Sequence, residues 1–243
     1  MGMRKFRNAL IGVLCVGFLV PTGCQTYQNM NKSGQNAIVG GAAGGAVGAG
    51  IGALLGGGKG TWIGALIGTA IGAGAGAAIG HQMDRQKREL EQELAQVRQE
   101  AGTRDTTIIV QTVKDSNNLD AIKVVLGDAI LFNTGSSVLS PAADAALSRI
   151  AYNLNQNPKT YATIVGFTDN TGSEQQNMTL SLKRAQSVMN YLISQGVAAS
   201  RLTARGEGWN NPVASNATAA GRAQNRRVEI YITAGEQMIK DAQ

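Results

Sequence analysis

Between residues 40 and 80 the chain places a glycine at every fourth position, from Gly40 to Gly80, with Ala, Val, Ile and Leu filling most of the gaps. A glycine inside a water-exposed helix costs about 1 kcal/mol relative to alanine, so a run of eleven needs an environment that compensates. Lys59, within GGGKG, is the only formal charge from Gln35 to Gly80. Each side of it offers roughly 20 nearly uncharged residues, the length of a membrane-crossing helix. The pattern therefore predicts a glycine-zipper helical hairpin over 38–80 turning at Lys59. A period of four overshoots the roughly 3.6-residue turn, so the glycine stripe drifts around each arm and favours the right-handed crossing of small-residue membrane helices. A flexible glycine-rich linker is the competing reading. Against it stand Ile51, Leu54, Leu55, Trp62, Ile63, Leu66, Ile67, Ile71 and Ile79, too much apolar surface to leave in water.

From His81 the period changes. HQMDRQKRELEQELAQVRQE carries Met83, Leu90, Leu94 and Val97 on one helical stripe and predicts an amphipathic helix, read as a charged stalk. Lys87 breaks the apolar seam, so a coiled-coil dimer is not specified. The stalk and a short strand, TTIIVQTV (106–113), occupy 81–117. Within 118–235 the elements alternate. IKVVLGDAILF (122–132) reads as a strand after a turn at Ser116-Asn117-Asn118. A helix is capped by Ser140 with Pro141 at its first position and closed by Asn157-Pro158. YATIVGF (161–167) is a buried strand, a second helix spans about 174–195, and RLTARGEG and NRRVEIYI (225–232) are further strands. The alternation predicts an α/β fold, a two-layer sandwich with a mixed sheet, followed by a tail at 236–243.

The amino terminus adds a destination. Arg4, Lys5 and Arg7 precede an apolar stretch too short to span a bilayer, and Thr22-Gly23-Cys24 resembles a bacterial lipobox, with Pro21 where leucine is usual. Residues 1–23 read as a lipoprotein-type signal peptide, Cys24 as the lipidated first residue and 24–37 as a linker. Ordinary signal-peptidase cleavage is the alternative. Cys15 leaves with the signal, so the mature chain holds one acylated cysteine and can build neither a disulfide nor a thiolate metal site. His81, the only histidine, has no partner residues at metal-ligand spacing. No metal and no cofactor are expected. The net charge of +6 falls to +3 without Arg4, Lys5 and Arg7, a mild balance suited to an anionic polymer or membrane surface. No nucleic-acid motif is present.

GFTDNTGSEQQNMTLSLKRAQSVMNYLISQGV (166–197), FNTGSSVLSP before it and NPVASNATAAGRAQNRRVEI after it resemble the OmpA-like peptidoglycan-binding domain over about 120–234. With the lipobox, zipper and stalk, the arrangement is similar to the YiaD type of lipoprotein rather than to a barrel porin. The resemblance implies a site for the diaminopimelate residue of the wall's stem peptide, whose free end carries one ammonium and one carboxylate. It assigns Asp169 to the ammonium and Arg184, able to fork onto a carboxylate, to the other end. Asn177 shares a helix flank with Arg184. Thr171 and the turn of Asn133, Thr134 and Gly135 match secondary contact positions, with Arg227 as support. Family members usually have Asp at the position of Asn133 and His or Tyr at that of Phe167. An internal salt bridge between Asp169 and Arg184, and a surface role for Arg227, are the structural alternatives.

These features imply a non-enzymatic lipoprotein of the outer membrane whose periplasmic domain binds peptidoglycan and tethers the envelope to the wall. Its expected partners are peptidoglycan and the lipid membrane, and the zipper offers a surface for homo-oligomers. The alternative is a zipper pore or stator-like membrane protein anchored to the wall. A proton-driven stator needs an intramembrane carboxylate, and residues 35–80 hold none. No catalytic residues are identified: a wall hydrolase would need a carboxylate pair, a zinc cluster or an activated nucleophile, and the one histidine lies outside the domain.

Overall fold

The computed structural model describes residues 73–100, 107–133 and 135–243. The signal peptide, Cys24, the linker, Thr134 and the hairpin up to residue 72 lie outside the described residues. Among those described, no helix is long and apolar enough to cross a membrane.

Twelve elements follow in order: helix α1 (Ala73–Glu100), strands β1 (Ile108–Lys114) and β2 (Asp120–Gly127), helices α2 (Asp128–Leu131) and α3 (Pro141–Gln156), strand β3 (Thr160–Phe167), helix α4 (Glu174–Ser194), a 3-10 turn (Ala199–Arg201), strand β4 (Leu202–Gly206), helix α5 (Ala219–Asn225), strand β5 (Arg227–Ala234) and helix α6 (Glu236–Ala242). The sheet runs β1-β2-β5-β3-β4. Among the described residues only the β3–β4 pair is parallel. The sandwich with a mixed sheet is thus as expected. β5 lies centrally and is buried along its whole length.

One face of the sheet carries the core. Ile122, Val124, Leu126, Ala162, Ile164, Val228, Ile230 and Ile232, alternate residues of β2, β3 and β5, meet the apolar faces of α1, α3 and α4. α1 packs on α3, α6, β1 and β2, and α4 packs on β3 and β4. The seat of α4 is set by two glycines opposite each other in register, Gly166 and Gly206. A Cβ at Gly166 would lie 2.1 Å from the Ser181 carbonyl oxygen, and one at Gly206 would lie 2.6 Å from the Leu182 nitrogen. Ser181 accepts a bond from the Gly208 amide (2.9 Å) and donates to the Met178 carbonyl. Backbone lies on backbone here, which fixes the helix that carries Asn177 and Arg184.

Three elements differ from the sequence reading. The helix expected as a stalk begins eight residues earlier, at Ala73, and does not stand free. Ala75, Ile79, Met83, Leu90, Leu94 and Val97 are all at most 5% exposed. Gln86, fully buried, donates through Nε2 to Asn153 Oδ1 (2.9 Å), while Asn153 Nδ2 donates to the Gln86 carbonyl. The stripe read as a stalk's seam is a core face because α3 and α6 supply its partners. Second, β2 stops at Gly127 and residues 128–131 form a helical turn, whose exit is closed by the Ser140 hydroxyl donating to the Ile130 carbonyl (2.6 Å). Third, the tail forms α6, which buries Met238 and Ile239.

Candidate functional site

β2 and β3 run in one direction and β5 in the other, so the carboxyl ends of β2 and β3 and the start of β5 share one edge of the sheet. Four charges converge there. Asp128 opens α2 after β2, Asp169 sits two residues beyond β3, Arg226 directly precedes β5, and Arg184 comes from α4. Arg226 Nη1 lies 2.7 Å from Asp169 Oδ2, and its Nε lies 3.4 Å from Asp128 Oδ2. Arg184 Nη2 lies 2.9 Å from Asp128 Oδ1. Asp169 and Arg184 are therefore linked through Arg226 and Asp128 rather than joined in the direct bridge considered above.

Each member is held by its surroundings. Asp169 Oδ1 accepts from the Thr171 amide (2.9 Å), and Asn177 Nδ2 donates to the Thr171 carbonyl (2.9 Å), so α4 braces the loop after β3. Gly172, at φ 92°, turns that loop into the capping box of Ser173 and Gln176. Arg184 donates through Nε to the Ser136 carbonyl (2.9 Å), and its guanidinium lies 5.1 Å from the centre of the Phe132 ring. Ser136 in turn donates its amide to the Asn133 carbonyl, closing a turn in which Gly135 takes a φ of 72°. The turn at Asn133 and Gly135 is thereby tied to Arg184. Asn133, Gly135, Asn170 and Thr171 are exposed, while Asp128, Asp169 and Arg184 are buried beneath them. The result is a recessed charged floor with a polar rim.

The family profile described as OmpA family matches residues 131–226, and one described as YMGG-like Gly-zipper matches residues 3–84. The chain is 46% identical over 114 residues to the probable lipoprotein YiaD of Escherichia coli, covering 47% of this chain and 52% of the relative. It is 47% identical over 112 residues to the peptidoglycan-binding protein ArfA of Mycobacterium bovis, covering 46% of this chain and 34% of that one. The chain thus spans about half of the first of these curated relatives and a third of the second. The solved cell wall anchor of the T6SS from Pseudomonas aeruginosa superposes with a TM-score of 0.50 at 32% identity, over 60% of this chain and 96% of that one. The carboxyl-terminal domain belongs to the OmpA family.

In this OmpA-family domain, Asp169, Arg184, Asn177, Thr171, Asn133 and Gly135 gather at one edge, whereas Arg227 does not join them. Its neighbour Arg226 faces the acids, so strand alternation sends Arg227 to the opposite sheet face. There its guanidinium stacks on Phe167, 3.9 Å from the ring centre, and its Nε lies 2.8 Å from Glu229 Oε1. Lys123 reaches the same oxygen, and the Tyr231 hydroxyl donates to Glu229 Oε2. This buried network explains Phe167: the ring is a platform for Arg227. Two members of the site, Asp128 and Arg226, were not singled out from sequence. Asp128 carried one signal, an acid at a strand end after glycine. Arg226 was hidden by the choice between two adjacent arginines.

The electrostatics differ between the two acids. Burial raises the Asp169 carboxyl, but the hydrogen bonds from Arg226 and Thr171 outweigh it and hold Asp169 below the usual carboxylate range. For Asp128 burial wins over Arg184 and Arg226, and its carboxyl is pushed up. Burial lowers Arg184 against the pull of Asp128. Two polar atoms at this edge are buried without a hydrogen-bond partner among the described residues, Thr168 Oγ1 and Arg226 Nε. Among the described residues no group of His, Cys, Asp or Glu is placed to hold a metal ion.

Proposed function

We propose that this edge of the OmpA-family domain binds the free amino-acid end of diaminopimelate in the peptidoglycan stem peptide, and that the protein tethers the envelope to the wall without catalysing a reaction. The observation that carries the reading is the recessed pairing of carboxylates and guanidiniums beneath an exposed polar rim. A zwitterion needs both signs within a few ångströms, and a buried setting makes each charge count for more than it would in open water. Asp169 receives the ammonium. Arg184 supplies the cationic floor for the carboxylate, and Asn177 holds the Asp169 loop in register. Thr171, Asn133 and Gly135 form the rim, and Thr134, outside the described residues, is assigned with them as a contact. The peptidoglycan-binding name of the mycobacterial relative and the wall-anchor title of the superposed structure support the same reading. At the other end, acylation at Cys24 and the zipper hold the chain in the outer membrane, with the domain in the periplasm. A single acyl chain binds only marginally, so the zipper adds the second membrane signal.

The test is retention of the chain by purified sacculi. Wild type is retained without releasing soluble fragments. Asp169→Asn keeps an acceptor for the Thr171 amide but removes the charge, and its retention falls at least about tenfold, as expected for losing a charge-assisted contact. Full retention of a folded Asp169→Asn protein would reject the clamp, and release of fragments would reject the non-enzymatic reading.

A further inference from the structure

We infer that Arg226 is the residue by which this site selects a free amino-acid end, with ammonium and carboxylate on one carbon, over a lone amine. The inference rests on the peptidoglycan reading above. Asp169 is already neutralised: Arg226 Nη1 occupies its Oδ2 at 2.7 Å. A ligand ammonium on that oxygen sets a second cation beside the Arg226 guanidinium, and their repulsion pushes Arg226 off Asp169. Of the two arginines at the edge, Arg226 is the one free to move. Its side chain is 33% exposed against 2% for Arg184. Arg184 is committed through Nη2 to Asp128, through Nε to the Ser136 carbonyl and by its plane to Phe132. Arg226 Nε, by contrast, is buried without a hydrogen bond although Asp128 Oδ2 is 3.4 Å away.

Charge conservation then decides which ligands fit. Two acids and two arginines make the edge neutral before binding. A lone amine on Asp169 leaves the displaced guanidinium uncompensated beside Arg184, so the edge carries one excess positive charge in a poorly solvated place. A zwitterion brings its own carboxylate, which accepts the freed fork of Arg226 over the floor of Arg184, and the edge ends as neutral as it began. Arg226 thus acts as an internal stand-in for the ligand's ammonium. It yields at low cost only to a group that offers a carboxylate in return. A stem peptide ending in lysine, or one whose diaminopimelate carboxylate is amidated, lacks that group.

The experiment uses the full chain in detergent and two synthetic tripeptides, Ala-γ-Glu-diaminopimelate and Ala-γ-Glu-Lys, titrated calorimetrically. Wild type prefers the first by about tenfold or more, as for a site that binds a polar group its competitor lacks. Arg226→Gln, shown by thermal melt to be folded, reduces the preference to about two- to threefold, and Arg226→Lys keeps most of it because the charge remains. An unchanged preference in folded Arg226→Gln overturns the inference. A second readout needs no variant: the Arg226 Nε–Hε resonance of wild type shifts on saturation with the diaminopimelate peptide, and a resonance that stays fixed at saturation overturns the inference equally. Should wild type retain neither sacculi nor tripeptide, the reading of the site itself falls and the inference with it. Retention of sacculi with an unchanged preference rejects the role of Arg226 alone.

Discussion

Truncating Leu90 or Leu94 in α1 distinguishes a docked helix from a stalk. Both side chains are completely buried, in one cluster with Leu147, Ile150 and Leu154 of α3 and Met238 and Ile239 of α6. Replacing a fully buried leucine by alanine removes its transfer free energy and leaves a cavity that relaxes only in part, together about 3 kcal/mol within a range of 2–5. On a free stalk the same change would be near neutral or stabilise by a few tenths of a kcal/mol, since alanine is the better helix former. Lys87 lies on the same helix and pairs with Glu91 at a partly exposed position. Lys87→Ala is therefore the internal control, worth under about 0.5 kcal/mol. The assay is urea unfolding of a chain beginning at Ala73, with thermal melts alongside. For a domain of this size about 3 kcal/mol corresponds to a midpoint drop of about 6–12 °C. A loss below about 1 kcal/mol in both leucine variants, with a single transition, would refute the docked helix.

Three further outcomes follow from particular contacts. Gln86→Ala leaves Asn153 buried without its side-chain partner and costs about 1–3 kcal/mol in the same unfolding assay, whereas the double replacement by Gln86→Leu and Asn153→Leu recovers part of that loss. Gly206→Ala drives a methyl into the Leu182 backbone and the Ser181 hydroxyl of α4, so the variant unfolds at least about 3 kcal/mol more easily or fails to accumulate, and a near-neutral effect would show that α4 is not seated there. Burial pushes the Asp115 carboxyl from 3.8 up to about 6, against the Leu119 and Asn117 amides that favour its ionised form. The folded state therefore holds this proton more tightly than the unfolded chain. Stability from this group is present below about pH 4 and lost as the pH rises through about 6, by about 2–3 kcal/mol. A carboxyl chemical shift titrating near 6, absent in Asp115→Asn, checks it, and a midpoint near 4 would refute the sign.

Much of the sheet and of its two long helices was legible because each reports its own period and caps. Ser140 with Pro141 and the Ser173 to Gln176 box are local signals, and each caps its helix in the structure. The failures are tertiary. Ile130 and Leu131 extend a β-branched run by composition, yet the chain turns helical at Asp128 because Ser140 folds back onto Ile130. α6 is seven residues long, too short to show a period, and forms because α1 offers its buried face. The site was legible as a set of residues and not as a set of pairs. Nothing local tells Arg184 that its acid is Asp128, or Asp169 that its arginine is Arg226. Those partners come from four separate segments, and only the strand order β2-β5-β3 brings them to one edge. Strand alternation did forbid Arg226 and Arg227 from sharing a face, but not which of them met the acids.

The docked helix also changes what the zipper can do. Ala75 and Ile79 belong to the last glycine repeats by sequence, yet they are buried in the domain core with Met83. Ala75 and Ile79 cannot be buried in the domain core and lie in lipid at once. With α1 docked from Ala73, the second arm expected from the sequence would be left with residues 61–72, which even as a complete helix would reach only about 18 Å against a hydrocarbon core of about 30 Å. The expected hairpin could thus not span on both arms while α1 is docked. The tether proposed above is compatible with a docked α1, because it does not require the expected hairpin to span the bilayer. A pore made from spanning hairpins would require α1 to leave the core and expose Leu90, Leu94 and the Gln86 to Asn153 pair to water. The same buried leucines that stabilise the domain would therefore oppose any arrangement in which both arms span.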